Sequence, residues 1–557
     1  MKLRITRKLI AVTGLILVSA CGGGSGSFST PNVTPSAPAL TSRIVGIGDS
    51  LTAGYQAGGF LGQFAPPVPN PNPGAPFPIV PPGQESGFWS LLYQQATGQT
   101  WISQANPQGS VLPLIAGPGL ANELVTAGPT SPLPFAASKP NGCQSNDLAG
   151  FSSTLWTNTR LNPSATTLDL AVPGITMHEA IAMNQPLAPT CAPIPGISPT
   201  VAGLLAVVNG ESSLFYPVLG RFSSTLGKNL TELNAAVSLK PTLATIWLGA
   251  NDLLKYTFTG GQFCLGDSTH MVGGTCAIDT SGAQVQTDMT TIITALQKTG
   301  AKVVVANLPN VLKLPQFASV AAPPAPAACA LQTYLVCVYE GVLTPLLIAK
   351  GDPNAQADAQ AAATAITAYI AATYGLAPNG YVNETGAITA LQQALNPATG
   401  QITVSNINLD PNGPGTGLGA LYLTPTFAAA VQSYNDTINA GIATAAGALG
   451  VPVVPVRDIN DGIASGSGPY FLQAVSINPA PNPRTGAPFT CCSLAFGFGL
   501  LSFDGLHPSN TGYALIASAF IQTIDSAYGA SIPQVNPQAV YQGTGPNAAF
   551  PDPYAPH

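Results

Sequence analysis

Apolar positions recur along the chain at two spacings, and the alternation between them predicts a layered α/β protein. Five short runs have the length and apolar content of buried strands: 43–48, 168–172, 243–248, 302–306 and 451–456. Between them, apolar residues return every three or four positions, as on one face of a helix. Leu226, Leu230, Leu233 and Val237 form one such stripe. Val285, Met289, Ile292, Ile293 and Leu296 form another, stopped by Gly300. Phe427, Val431, Tyr434, Ile438 and Ile442 form a third, and a last helix is expected over about 510–528. Strand and helix in alternation argue for a parallel sheet covered on both faces. Right-handed crossovers then bring every strand's C-terminal end to one edge, where such sheets place their sites.

Composition adds the loops. The chain has 557 residues, of which 59 are glycine and 54 proline. These concentrate in stretches read as insertions, at about 56–165, 186–220, 256–280 and 310–425, with an alanine-rich helix expected over about 355–374. Only 7% of residues are charged, against about 25% in an average globular protein. A net charge of −6 has the wrong sign for polyanions, so nucleic acid is set aside as a partner. So sparse a surface charge also leads us to expect a stability that changes little with pH.

The N-terminus predicts export. Lys2, Arg4, Arg7 and Lys8 precede an apolar run over 9–18 that is too short to span a bilayer but suits a signal peptide. Val18-Ser19-Ala20-Cys21 resembles a bacterial lipobox, which makes Cys21 the expected lipidation site, and Gly/Ser-rich sequence follows it as a tether. The expected organisation is a signal peptide over 1–20, anchor and linker over 21–42, one domain over 43–530 and a Pro-rich tail over 531–557. The expected address is the cell envelope, with a lipid anchor in the membrane. Cys143, Cys191, Cys264, Cys276, Cys329, Cys337, Cys491 and Cys492 make an even set suited to disulfides in an oxidising compartment, with pairing open among 105 possibilities.

Two motifs carry candidate chemistry. Gly48-Asp49-Ser50-Leu51 directly follows the first strand-like run. A serine at a strand-to-helix turn exposes its hydroxyl, and the backbone N–H groups there can face a developing oxyanion. Near the other end, Asp504 stands three residues before His507. One loop can thus carry both, the carboxylate fixing the tautomer that leaves the other imidazole nitrogen basic.

With two further motifs, the sequence is similar to the SGNH/GDSL hydrolase family. Gly48 to Leu51 resembles the block of the nucleophile. Ala171-Val172-Pro173-Gly174-Ile175-Thr176 resembles the block whose glycine N–H serves the oxyanion, and Gly249-Ala250-Asn251-Asp252 the block whose asparagine is the other donor. Asp504 to His507 resembles the block of acid and base. The resemblance implies a three-layer αβα sandwich with a flavodoxin-like parallel sheet, and ester hydrolysis with no cofactor and no metal. It implies a triad of Ser50, Asp504 and His507 and an oxyanion hole of Ser50, Gly174 and Asn251. The expected substrates are lipid or small acyl esters and the expected assembly is a monomer. A glycan O-deacetylase, or a silent scaffold that holds glycan or lipid, is the alternative. The sequence departs from the family at Asp169, where asparagine is common, and at Pro173 before the glycine.

Other motifs fail on their context. His178-Glu179 opens like a zinc-protease helix, but Ala182 stands where the second histidine would be. The Gly415 to Ala420 run has no preceding strand, and no Gly-x-Ser-x-Gly elbow occurs.

Overall fold

The computed structural model describes residues 40–55, 83–99, 110–114, 162, 165–183, 215, 218–258, 282–314, 317–319, 354–374, 380–383, 422–465, 468–477, 500–501 and 506–542. The signal segment, Cys21, the other eight cysteines, Gly415 to Ala420 and Asp504 lie outside the described residues.

The main sheet is parallel and contains β1 (Ile44–Gly48), β2 (Leu243–Trp247), β3 (Lys302–Ala306) and β7 (Val453–Val454), side by side in that order. Its free edge at β1 is extended by residues 168–172. Gly46 N–H donates to Leu168 O at 2.9 Å, Leu170 N–H to Gly46 O at 3.0 Å and Val172 N–H to Gly48 O at 3.0 Å. The spatial order of these five segments is therefore second, first, third, fourth, fifth, the flavodoxin-like winding. Its topological switch lies at β1, and ligands in such sheets bind at the strand C-termini beside the switch. Pro452 and Pro455 bracket β7 and hold it to two residues, since proline has no N–H for a ladder.

All five residues of β1 and of β2 are buried, so both sheet faces are covered. One set of covering helices comprises α2 (Met177–Ala182), α3 (Glu232–Ser238), α5 (Ala283–Gln297) and α7 (Pro425–Ala448), with α5 packed against the other three. A second set comprises α1 (Phe88–Thr97), α10 (Asn510–Tyr528) and α11 (Pro537–Gln542), with α10 packed against both partners. In this second layer Phe88 stacks on Phe520 at 4.4 Å and meets Trp247 edge-on at 5.4 Å. Each such buried ring contributes on the order of 1.5–3 kcal/mol through its removal from water. Gly46 is glycine because a Cβ there would stand 2.7 Å from the Trp89 indole.

α4 (Ala250–Phe258) follows β2, α6 (Ala355–Tyr374) lies in the long segment after β3, and α8 (Val456–Ala464) and α9 (Gly468–Ile477) pack together after β7. A second, antiparallel sheet orders β4 (Phe317–Ser319), β5 (Tyr381–Asn383) and β6 (Tyr422–Leu423). Among the described residues no helix is long and apolar enough to cross a membrane.

Three expectations need correction. The stripe from Leu226 to Val237 is not one helix: a short helical turn over Ser223–Leu226 gives way to a 3-10 turn over Gly227–Asn229 before α3 begins. Gly227 breaks it with φ +54°, a left-handed conformation that glycine adopts without a steric cost. The stretches read as insertions also supply packed structure, since 56–165 contributes α1 and 186–220 contributes buried Phe215, Val218 and Leu219. The start of the expected tail also belongs to the packed core, with Ile532, Val535 and Val540 buried.

Candidate active site

The turn that carries Ser50 is built from its backbone outward. Asp49 closes it: its carbonyl accepts from Thr52 N–H at 3.1 Å and Ala53 N–H at 3.0 Å, and its Oδ1 accepts from Leu51 N–H at 3.0 Å. Ser50 O accepts from Tyr55 N–H at 2.9 Å. The chain thus makes a single helical turn straight after β1 and presents Ser50, half-buried, at the strand's C-terminal end. Gly48 has no room for a side chain, because a Cβ would lie 2.0 Å from Thr52 Oγ1 and 2.8 Å from Trp247 O.

His507 reaches this turn from the far end of the sequence. Its Nε2 lies 2.8 Å from Ser50 Oγ, across a sequence separation of 457. The loop that carries it is pinned at both ends. Leu501 and Pro508 form an antiparallel bridge, and Ser509 N–H donates to Leu500 O at 2.9 Å. Ser509 then caps α10 by accepting from Gly512 N–H at 3.2 Å. The Tyr55 ring stands 5.0 Å from the imidazole, tilted by 51°.

The two expected oxyanion segments meet each other at the same sheet edge. Val172 O accepts from Ile175 N–H at 3.2 Å across Pro173 and Gly174, and Gly174 has φ +87°. Proline second and a positive-φ glycine third is the pattern of a type II turn, so Pro173, a departure from the family's block, suits the turn it stands in. Asn251 Nδ2 donates to Ile175 O at 3.1 Å, and Asp252 Oδ2 accepts from Met177 N–H at 3.0 Å. Asn251 and Asp252, in the first turn of α4, thereby hold the 173–177 segment in place. Thr176 and Glu179 close a capping box on α2, so Glu179 has a structural task. His178 Nδ1 lies 3.3 Å from both carboxylate oxygens of Asp288 on α5, which ties those two helices. Among the described residues no cluster of histidine, cysteine and acidic side chains suits a metal ion.

Behind the turn the interior is unusually acidic. Asp49, Asp169 and Glu232 are all buried. Burial pushes Asp49 up to about 7, against the pull of the Leu51 N–H and of His507. It pushes Asp169 up to about 8, against the Ala171 N–H. Glu232 is raised well above the carboxylate range by burial, and nearby Asp49 and Asp169 raise it further.

A family model described as GDSL-like Lipase/Acylhydrolase matches residues 196–520. The chain belongs to this family. Comparison with curated proteins and with solved structures found no match. Members of the GDSL-like family hydrolyse ester bonds, and the α/β sheet described above accords with the family's fold. The matched range contains Asn251, Asp504 and His507. Ser50 and Gly174 precede it, and they join it through the His507–Ser50 contact and the Asn251–Ile175 bond.

Sequence reasoning overlooked Glu232, Tyr55 and Tyr513 as neighbours of this site. Tyr513 lies in a helix recognised for its apolar face, and Glu232 reads as an ordinary first-turn acid.

Proposed function

We propose that this GDSL-family hydrolase is a serine esterase that cleaves carboxylic esters, of lipids or small acyl groups, through an acyl-enzyme on Ser50. The observation that carries the reading is the 2.8 Å approach of His507 Nε2 to Ser50 Oγ. A general base must stand within hydrogen-bond reach of the proton it removes, and this one does.

In the first half-reaction His507 takes the Ser50 proton as Oγ attacks the ester carbonyl. The carbonyl π bond opens onto oxygen, and the negative charge is met by the Ser50 and Gly174 N–H groups and the Asn251 amide. Collapse of the tetrahedral intermediate breaks the ester C–O bond, and His507 returns its proton to the leaving alcohol. In the second half His507 deprotonates water, whose oxygen attacks the acyl carbon, and the carboxylic acid leaves as Ser50 regains its proton. Asp504 is assigned to orient the imidazole and stabilise its charged form.

The basic start, the apolar run and the Val18 to Cys21 motif support an exported enzyme tethered to the envelope membrane by a lipid on Cys21. Hydrolysis of p-nitrophenyl esters from acetate to palmitate, by wild type and by Ser50→Ala, tests the reading. Activity lost in the variant supports it, and the chain-length profile separates short acyl from lipid substrates. Activity on acetylated glycans alone would favour the deacetylase reading. No turnover together with no labelling by a fluorophosphonate would favour a silent scaffold.

A further inference from the structure

Two backbone N–H groups near Ser50, one two residues before it and one directly after it, are each held by a buried acid. Gly48 N–H donates to Glu232 Oε1 at 2.7 Å, and Leu51 N–H donates to Asp49 Oδ1 at 3.0 Å. Among the described residues the second oxygens, Glu232 Oε2 and Asp49 Oδ2, are buried without a hydrogen-bond partner. Both side chains are fully buried. Gly48 is also where two motifs join, since its carbonyl accepts from Val172 N–H at 3.0 Å, one residue before the Pro173-Gly174 turn. Whatever fixes the Gly48 peptide therefore fixes Ser50 and the expected oxyanion glycine relative to each other.

We propose that Glu232 is a positioning residue for Ser50, paired with Asp49 so that two buried acids grip the N–H groups of Gly48 and Leu51, before and after the nucleophile. The inference rests on the esterase reading and adds to it a residue outside all four family-like motifs. Glu232 stands at the first position of α3, after its cap Thr231, so a helix packed under the sheet carries the grip.

The pair works with Glu232 uncharged. Two nearby buried carboxylates cannot both ionise cheaply. The groups facing Glu232 are Asp49 and Asp169, and Asp49 is faced in turn by His507 and Asp252. Of these, only His507 offsets a negative charge. Burial raises Asp49 to about 7 and raises Glu232 well above its ordinary value, which favours the protonated acid. A neutral acid still accepts from Gly48 through its carbonyl oxygen, and an amide does the same.

The rate of Ser50 labelling by a fluorophosphonate reports the nucleophile directly, without a chosen substrate. Glu232→Ala is expected to label about 100-fold more slowly, as a displaced reacting group does, with kcat on a p-nitrophenyl ester falling and KM within about threefold. Glu232→Gln should recover labelling to within about threefold of wild type, with the same pH profile between about pH 6 and 9. A purely structural role would lower the melting temperature of the alanine variant and leave its labelling rate unchanged. Alanine at the wild-type rate, or glutamine as slow as alanine, overturns the proposal. Should the alanine variant not fold, the glutamine variant decides: about 30-fold slower labelling overturns the neutral grip. Wild type that neither labels nor turns over any ester overturns the esterase reading itself, which distinguishes the two failures.

Discussion

Tyr513 donates its hydroxyl to the carbonyl of Tyr55 at 2.7 Å, a bond across 458 residues that ties α10 to the nucleophile turn. The Tyr55 ring at the same time stands beside the His507 imidazole. One bond therefore couples the turn that carries Ser50 to the helix that follows His507.

Tyr513→Phe removes that donor. We expect a loss of about 1 kcal/mol in stability, the usual net worth of such a bond. Turnover should fall more than KM rises, because the bond aligns residues rather than binding substrate. Urea unfolding and steady-state kinetics on the same variant check both.

Asn251→Ala should lower kcat by about 10²–10³ with the fold intact, the usual cost of losing one oxyanion donor. The variant also loses the bond from Asn251 to Ile175 O, so the 173–177 segment is released on that side. A near-normal kcat, with an unchanged circular dichroism spectrum, would remove Asn251 from the site.

Gly512→Ala tests the clamp on the His507 loop. A Cβ at this position would lie 2.0 Å from Leu500 O, a backbone atom held by its bond from Ser509. Overpacking of this kind costs about 1–3 kcal/mol. The melting temperature should drop by several degrees, and activity should fall even well below it, because the strain bears on the loop ending at His507.

Stability should decline as pH rises. Asp49, Asp169 and Glu85 have folded pKa values of about 7, 8 and 8, all above their ordinary carboxylate values. Between the ordinary and raised values the folded state binds more protons than the unfolded one, so unfolding becomes easier with each step upward in pH. Each retained proton is worth about 1.4 kcal/mol per pH unit within that window. Melting temperatures at pH 5 and pH 8 should differ, with the higher value at pH 5. Asp169→Asn keeps the acceptor for Ala171 N–H, and it should raise the pH 8 value and flatten the dependence. The expectation of a pH-insensitive protein, drawn from sparse surface charge, overlooked that a few buried acids outweigh many exposed ones.

What was legible in the sequence follows from periodicity. Lys302 to Ala306 is a strand with the expected bounds, and the helices over Ala355–Tyr374, read from its alanine-rich composition, and Asn510–Tyr528 stand where they were expected. The Ser50 and His507 motifs were also legible, each sitting beside a regular element. α1 was missed because its Phe88-Trp89 pair sits in a Pro/Gly-rich stretch, and its burial depends on Gly46 and Phe520, remote in sequence. The break at Gly227 was missed because leucine spacing continues across it. Glu232 could not be read at all as part of the site, since its meaning lies in a bond to Gly48, 184 residues away.

The most direct test of the account is to label the folded enzyme with a fluorophosphonate and identify the modified residue by peptide mass spectrometry, in wild type and in His507→Ala. The account predicts a single adduct on Ser50 in wild type and its near-complete loss without His507. Labelling of another serine, or of Ser50 at an equal rate in both proteins, would contradict it.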